Sequence, residues 1–191
     1  MKNKSLILGL VSAVFACNLV FTSCSEPKEV EKYAILEKRV YGAEDSIVDQ
    51  YSRIKGDGHA GSYFSRTDST NQYGIGTFFI INDTMINKDL RINIDAWFRA
   101  NKVAPGYVFA IALHDGDKVA LWQEIDVKKQ MKAENAWTNV VDSITIPAAS
   151  INKPGLILKA FAYNAHTDKS IVFDGDDLQI TFKNVQKVLE E

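Results

Sequence analysis

Residues 89–99 alternate strictly between hydrophobic and polar positions, and this pattern constrains the fold more than any other segment of the sequence. Hydrophobic side chains occupy every second position from Leu90 to Phe98, and polar side chains together with Trp97 occupy the positions between them. A period of two is the period of a pleated β-strand with one buried face. The segment therefore predicts a long strand with one face toward a hydrophobic core and the other toward solvent.

Further short segments of β character follow one another from Ala34 onward, separated by turn sequences. The segments 106–114 and 118–127 are joined by Asp115-Gly116, a typical hairpin turn. Two glycines, Gly74 and Gly76, interrupt the segment 73–81 and indicate a bulge or a close approach of another backbone. The remaining predicted strands are 35–41, 47–54, 60–67, 137–146, 156–164, 171–173 and 178–182. About ten strands with regular turns predict an all-β domain, a sandwich of two antiparallel sheets.

The first 23 residues have the composition of an export signal. Lys2 and Lys4 carry positive charge, an apolar run follows, and small residues precede Cys24. The sequence Phe21-Thr22-Ser23-Cys24 resembles the lipobox of bacterial lipoproteins, with phenylalanine in place of the usual leucine. The resemblance implies cleavage before Cys24 and attachment of fatty acyl chains such as palmitate to that cysteine.

Two other interpretations of this N-terminal segment remain open. One is an uncleaved anchor helix, and the other is the signal peptide of a secreted protein that is cleaved nearby. The apolar run is short for a membrane-spanning helix, which favours the lipoprotein interpretation. The sequence contains two cysteines, Cys17 and Cys24, so the mature chain would keep one, and lipid would block it.

The lipoprotein interpretation divides the chain into four parts. Residues 1–23 are the signal peptide, 24–34 the lipidated cysteine and a polar tether, 35–183 the β-sandwich domain, and 184–191 a C-terminal tail that forms a short helix or frays. The acidic stretch after Cys24 resembles a signal for export to the surface of the outer membrane, although a flexible spacer has the same composition. We expect an outer-membrane lipoprotein of the cell envelope, with surface exposure as an open alternative.

Composition and motifs limit the activities that this chain can have. The formal net charge is -2 at pH 7, without a run of lysine and arginine, so a nucleic-acid partner is not expected. The sequence has no nucleophile elbow, no metalloprotease motif and no phosphate loop, and we therefore predict a protein that is not an enzyme. Asp95 and Glu124 remain a weaker alternative as a glycosidase pair, which requires a separation of about 5 to 9.5 Å.

The order of segments in the C-terminal half resembles that of a known fold family. Trp137-Thr-Asn-Val-Val is followed by Ile146-Pro147, by Leu158-Lys-Ala-Phe-Ala-Tyr-Asn164 and by Phe173-Asp-Gly-Asp-Asp-Leu-Gln-Ile180. This order resembles the jelly roll of galactose-binding-like domains, which several families of carbohydrate-binding modules share. The resemblance covers roughly residues 40–183 and implies a binding domain.

The same resemblance implies a structural calcium ion. In many galactose-binding-like domains an acidic residue before the last strand helps to hold calcium, and that position falls at Asp176 and Asp177 here, with Glu44, Asp45 or Asp57 nearby in the sequence. Calcium needs about six to eight oxygen ligands, and one short acidic run supplies few of them. A charged turn before the last strand is the alternative.

Aromatic and charged side chains on the polar sides of the predicted strands are candidates for a ligand site. Trp97 and Trp122 both fall on such sides. A tryptophan ring that contacts neither protein nor ligand there would expose a large apolar surface to water, which is unfavourable. We expect one concave sheet face that carries Trp97, Trp122, Asp95, Arg99, Glu124, Lys159 and Tyr163, with Arg91 and Phe161 among them and Ala110 and Ala112 as the floor. Sugar rings stack on aromatic rings, and their hydroxyl groups need fixed donors and acceptors. The predicted partner is a glycan. The alternatives are loops that cover the tryptophans, or an envelope protein that binds this face.

Overall fold

The computed structural model describes residues 28–44 and 52–189. The predicted signal peptide, Cys24 and Asp45 lie outside these residues, as does most of the predicted strand 47–54. The described strands are β1 (Glu29–Tyr41), β2 (Arg53–Lys55), β3 (Tyr63–Thr67), β4 (Tyr73–Ile80), β5 (Asp89–Ala100), β6 (Tyr107–Asp115), β7 (Lys118–Asp126), β8 (Thr138–Ile146), β9 (Ile157–Asn164) and β10 (Phe173–Leu189). Short 3-10 helices occur at Asp83–Met85, Val127–Lys129 and Ala148–Ser150.

The strands form two antiparallel sheets that pack face to face. Sheet A has the order β2-β3-β10-β5-β8, and β1 also pairs with β10, whereas sheet B has the order β4-β9-β6-β7. In the series of eight strands from β3 to β10, sheet A therefore holds the first, eighth, third and sixth strands, and sheet B the second, seventh, fourth and fifth. This is the strand order of a jelly roll. The predicted fold class, an all-β antiparallel sandwich of the jelly-roll type, is confirmed.

The core lies between the two sheets and follows the predicted alternation. In β5 every second residue from Leu90 to Ala100 is buried, and the residues between them are only partly buried. Aromatic rings join the sheets: Phe79 of β4 stacks on Phe182 of β10, with 4.4 Å between ring centroids. One face of each central strand is thus committed to the core, so a ligand can meet these strands only on their outer faces.

The strands extend beyond the predicted domain boundaries at both ends. β1 begins at Glu29, inside the predicted tether 24–34, and β10 continues to Leu189, inside the predicted tail 184–191. Glu29 is paired with Leu189, and β10 has no pair in β5 beyond Val185, so these ends form a two-stranded ribbon. Both faces of such a ribbon meet solvent, which explains why its sequence shows no hydrophobic alternation. Among the described residues, no helix is long and apolar enough to cross a membrane.

Candidate functional site

The outer face of sheet B is a grid of side chains from four neighbouring strands. The register of the sheet places Phe78 of β4, Lys159 of β9, Ala112 of β6 and Trp122 of β7 in one row. Neighbouring strands lie about 4.8 Å apart, so the backbones of Phe78 and Trp122 are separated by three spacings, or roughly 14 Å. Large rings at the ends of this row and an alanine within it leave a hollow over the centre of the sheet.

Three further rows complete this face. They are Gly76, Phe161, Ala110 and Glu124; Ile80, Ile157, His114 and Val119; and Tyr73, Tyr163, Val108 and Asp126. Ala110 and Ala112, the expected floor of the site, are fully buried beneath the neighbouring side chains and are not among the residues that line the groove. The hollow is a groove of about 660 Å³, within the size range of small-ligand sites.

Four aromatic rings at one end of this face pack against one another. The Trp122 ring centroid lies 5.8 Å from that of Phe161 and 5.7 Å from that of Tyr163, both in edge-on geometry. The Tyr73 ring lies 5.4 Å from each of the same two rings. Such contacts are favourable. They hold the rings in fixed orientations, so a ligand would meet a preorganised surface.

Large hydrophobic side chains on this face remain exposed to solvent. Tyr73 and Phe78 are 55% and 57% exposed, and Trp122 is 39% exposed. Ile80 and Val119, in the neighbouring row, are also more than half exposed. A contiguous exposed patch of this kind usually marks a binding surface.

A glycine in β4 allows the aromatic cluster to close over that strand. A Cβ atom at Gly76 would lie 2.5 Å from Cβ of Phe161 and would also overlap the carbonyl oxygen of Ala160. The pairing of β4 with β9 is irregular between Tyr73 and Gly76. The bulge or close approach predicted from Gly74 and Gly76 is therefore confirmed, and it shapes this face.

Polar side chains also accompany the rings on sheet B, among them Glu124, Lys159 and His114. The indole Nε1 of Trp122 donates a hydrogen bond of 2.6 Å to Oε1 of Glu124. Lys159 is exposed and lies in the same row as Phe78 and Trp122. Burial lowers the pKa of His114, and the positive charge of Lys159 lowers it further. The face thus offers a carboxylate, an ammonium group and an uncharged imidazole as donors and acceptors.

Trp97 lies on the other sheet and is covered. It belongs to β5 of sheet A, where the ring of His59 stacks on it with 3.7 Å between centroids and 13° between planes. His59 comes from residues 56–62, the loop that joins β2 to β3. The expectation that Trp97 and Trp122 share one concave face is wrong, because β5 and β7 belong to different sheets. The alternative interpretation, a loop packed over a tryptophan, describes Trp97.

The structure divides the predicted ligand residues between the two outer faces. Sheet A carries Asp95, Trp97 and Arg99, with Arg91, and sheet B carries Trp122, Glu124, Lys159 and Tyr163, with Phe161. Asp95 and Glu124 therefore lie on opposite sheets. They do not form a facing pair of carboxylates, and the glycosidase alternative built on that pair is wrong.

Arg99 takes part in a buried ion cluster instead of facing a ligand. Its Nη2 lies 2.9 Å from Oδ2 of Asp174, and Nε of Arg66 lies 2.7 Å from Oδ1 of the same carboxylate. The Asp174 side chain is 3% exposed. The hydrogen bond from Arg66 to the Asp174 carboxylate raises the pKa of Arg66. The Arg99 guanidinium also lies 4.5 Å above the ring of Trp137. These contacts hold the covered part of sheet A together.

The two aspartates predicted to bind calcium anchor loops in the described structure. Asp176 accepts hydrogen bonds from the backbone N–H groups of Ala43 and His59, at 3.1 and 2.9 Å, and Asp177 lies 2.7 Å from Nδ1 of His59. Oε1 of Glu44 likewise accepts backbone N–H donors, from residues 62 and 63. Within residues 28–44 and 52–189, no group of three or more acidic, histidine or cysteine side chains is arranged to hold a metal. The calcium ion stays a prediction from the resemblance alone.

Several residues of the sheet B face were missed in the sequence. Tyr73, Phe78, Ile80, Val119 and His114 all lie on it, and none was a predicted site residue. The run of four apolar residues at 78–81 was a usable signal, because a strand with one solvent face must expose half of such a run. His114 belongs to no motif of the sequence, and the pairing of β6 with β7 and β9 places it on this face.

No family model matches this sequence, and no curated protein matches it. Among solved structures, a CBM35 from Cellvibrio japonicus Abf62 matches with a TM-score of 0.41 and 13% identity, over 75% of this chain and 92% of that one. A family 35 carbohydrate-binding module from Clostridium thermocellum matches with a TM-score of 0.38 and 16% identity, over 75% and 97%. A cyclase from Fischerella sp. TAU matches with a TM-score of 0.38 and 10% identity, over 81% and 90%. At such low scores these matches assign no function, and the fold rests on the strand order.

Proposed function

We propose that this protein binds glycans without catalysis, through the groove on the outer face of sheet B. The observation that carries the proposal is the set of exposed rings that line the groove, Tyr73, Phe78 and Trp122. Two of them, Tyr73 and Trp122, are held by contacts with the ring of Phe161. The apolar faces of sugar rings stack on such aromatic surfaces. The polar groups at the groove supply donors and acceptors for sugar hydroxyl groups.

The shape of the face also supports a glycan. Gly74 and Gly76, which have no side chain, line the groove between Tyr73 and Phe78 along β4, so that space remains beside these two rings. A row about 14 Å long offers more length than one sugar ring occupies, so linked sugars could contact Phe78 and Trp122 at the same time.

A second candidate function is binding of an envelope protein by the same face. Ile80 and Val119 favour it, because both are aliphatic and more than half exposed, and neither offers a ring for stacking. Apolar side chains of this kind form the centre of many protein interfaces. Both functions use the same rings, and the ligand distinguishes them.

The proposed location is the outer membrane of the cell envelope, with a lipid anchor at Cys24. It rests on the sequence of residues 1–24 and on the resemblance of residues 21–24 to a lipobox. Four residues, 25–28, separate Cys24 from the start of β1 at Glu29. The strand ribbon formed by β1 and β10 would then stand near the membrane surface.

The test is a titration of the full chain, in mild detergent, against plant, host and microbial polysaccharides while tryptophan fluorescence is recorded. We expect saturable binding to at least one polysaccharide. Trp122→Ala should weaken it about tenfold or more, because it removes a stacking surface from the groove. Trp97→Ala is the matched control, and it should retain the affinity while losing about 2 kcal/mol of unfolding free energy as the contact with His59 disappears.

Two outcomes would contradict the proposal. One is an absence of binding across the panel by a folded protein, which would move the assignment to a protein partner. The other is binding that Trp97→Ala abolishes and Trp122→Ala leaves intact, which would place the site on sheet A.

A further inference from the structure

The groove on sheet B is lined by one lysine and by no carboxylate among the described residues. Lys159 lies in the central row, one strand away from Phe78 and two strands away from Trp122. Besides Lys159, the imidazole of His114 and the hydroxyl group of Tyr73 line the groove. The charge inside the groove is therefore positive and lies between its two aromatic ends.

Lys159 forms no ion pair with a carboxylate of the described residues. The acidic side chains on or near this face have other partners: Glu124 accepts the hydrogen bond from the Trp122 indole, and Oδ2 of Asp115 lies 2.7 Å from Nζ of Lys153. Oδ2 of Asp126 lies 3.9 Å from Nζ of Lys129. The ammonium group of Lys159 is thus available to a ligand.

The charge of Lys159 already acts on its surroundings inside the groove. It is the second cause, after burial, of the lowered pKa of His114. A lowered pKa means that the uncharged imidazole is favoured beside the lysine. The groove therefore disfavours a positive charge on His114, while the positive charge of Lys159 has no carboxylate partner among the described residues.

We propose that the ligand of this groove is an anionic glycan, whose carboxylate or sulfate group pairs with Lys159 while its sugar rings contact Trp122 and Phe78. The inference rests on the proposed function, since it names the chemical class of glycan that this groove selects. Carboxylate and sulfate share the chemistry that a lysine recognises, a negative oxygen cluster that accepts N–H hydrogen bonds.

A purely structural role for Lys159 makes a different prediction. Its methylene groups can cover neighbouring apolar side chains while the ammonium group keeps the face soluble. In that case the lysine would contribute equally to the binding of neutral and charged glycans. Matched pairs of glycans therefore separate the two roles.

The experiment measures the affinity of the full chain in mild detergent for two matched pairs. One pair is a polygalacturonan and its methyl-esterified form, and the other is a sulfated galactan and its desulfated form. We expect the charged member of one pair to bind about tenfold more tightly or better, and the responding pair identifies carboxylate or sulfate. The preference should decrease as salt rises. Lys159→Met should remove it and Lys159→Arg should keep it, while Lys132→Met, an exposed lysine outside the groove, should leave it unchanged.

Equal binding of charged and neutral members, or a preference that survives Lys159→Met, would overturn the inference. If both members of a pair bind equally and Trp122→Ala weakens both, the proposed glycan function stands and the anionic preference falls. If none of the four glycans nor any member of the polysaccharide panel binds, both fall together.

Discussion

The two outer faces of this sandwich carry similar side chains but differ in what covers them. On sheet A, Trp97 lies beneath the ring of His59, and Arg99 is committed to a buried carboxylate. On sheet B, Trp122 is 39% exposed and lines a groove with Lys159. Each face has a tryptophan and a basic side chain. The pair on sheet A stabilises the fold, whereas the pair on sheet B is accessible to a ligand.

The loop formed by residues 56–62 makes this difference. Carboxylates hold its backbone in the middle and at the end, because the N–H group of His59 donates to Asp176 and the N–H groups of residues 62 and 63 donate to Glu44. On sheet B, β6 and β7 are joined by a short turn at Gly116 that extends over neither strand. Whether an aromatic residue on a solvent-side position stabilises or binds therefore depends on the connection next to it.

The largest expected effect comes from removing the charge that holds sheet A together. Asp174→Asn leaves Arg66 and Arg99 without their shared carboxylate, and we expect a loss of about 3 kcal/mol in unfolding free energy. Denaturant unfolding measures the loss. Glycan affinity of the folded fraction should stay unchanged, because the groove on sheet B contains none of these residues.

Asp115→Asn is the control for this prediction. Asp115 pairs with Lys153 at 2.7 Å, but both side chains are about half exposed, so we expect a loss below about 1 kcal/mol. Equal losses in the two variants would show that the cluster around Asp174 has no special structural role. The distinction between a stabilising and a binding face would then fail.

An intermediate effect is expected at the glycine beneath the aromatic cluster of sheet B. Gly76→Ala places a Cβ atom against Phe161 and the backbone of β9, and we expect a loss of about 1 to 2 kcal/mol in unfolding free energy. Displacement of the Phe161 ring should also weaken glycan binding. Thermal unfolding and the fluorescence titration measure the two effects in the same samples.

Gly42→Ala is the matched substitution for comparison. A Cβ atom there would lie 3.8 Å from its nearest neighbours, an ordinary contact, and so neither stability nor affinity should change much. If Gly76→Ala behaves in the same way, the rings of sheet B do not depend on this close approach.

Much of the fold could be predicted because local sequence determines which side chains share a face within one strand. The alternation in β5 and the hairpin between β6 and β7 were both read correctly. The sequence also placed Ala112 and Trp122 on the same face, because a hairpin determines which residues of its two strands are neighbours. The ends of β1 and β10 were missed, because a ribbon with two solvent faces has no hydrophobic period.

The site could be predicted only in part, because alternation does not identify the sheet to which a strand belongs. β5 pairs with β8 and β10, and β6 pairs with β9, so each sheet joins segments far apart in the chain. Trp97 and Trp122 have equivalent positions in their own strands and yet lie on opposite sides of the molecule. The cover over Trp97 comes from a polar, glycine-containing loop whose sequence gives no sign of its destination.

The smallest expected effect is a change in the pH dependence of stability caused by the sheet B face. Because the pKa of folded His114 is lowered, the unfolded chain binds its proton at a higher pH than the folded chain does. Stability should therefore fall as the pH decreases below the ordinary histidine value of 6.5. His114→Gln should make this fall shallower. Lys159→Met should do so to a lesser extent, since it removes the charge and leaves the burial. Denaturant unfolding between pH 5 and pH 8 measures the slopes, and identical slopes in the parent and His114→Gln would show that the groove does not disfavour a second positive charge.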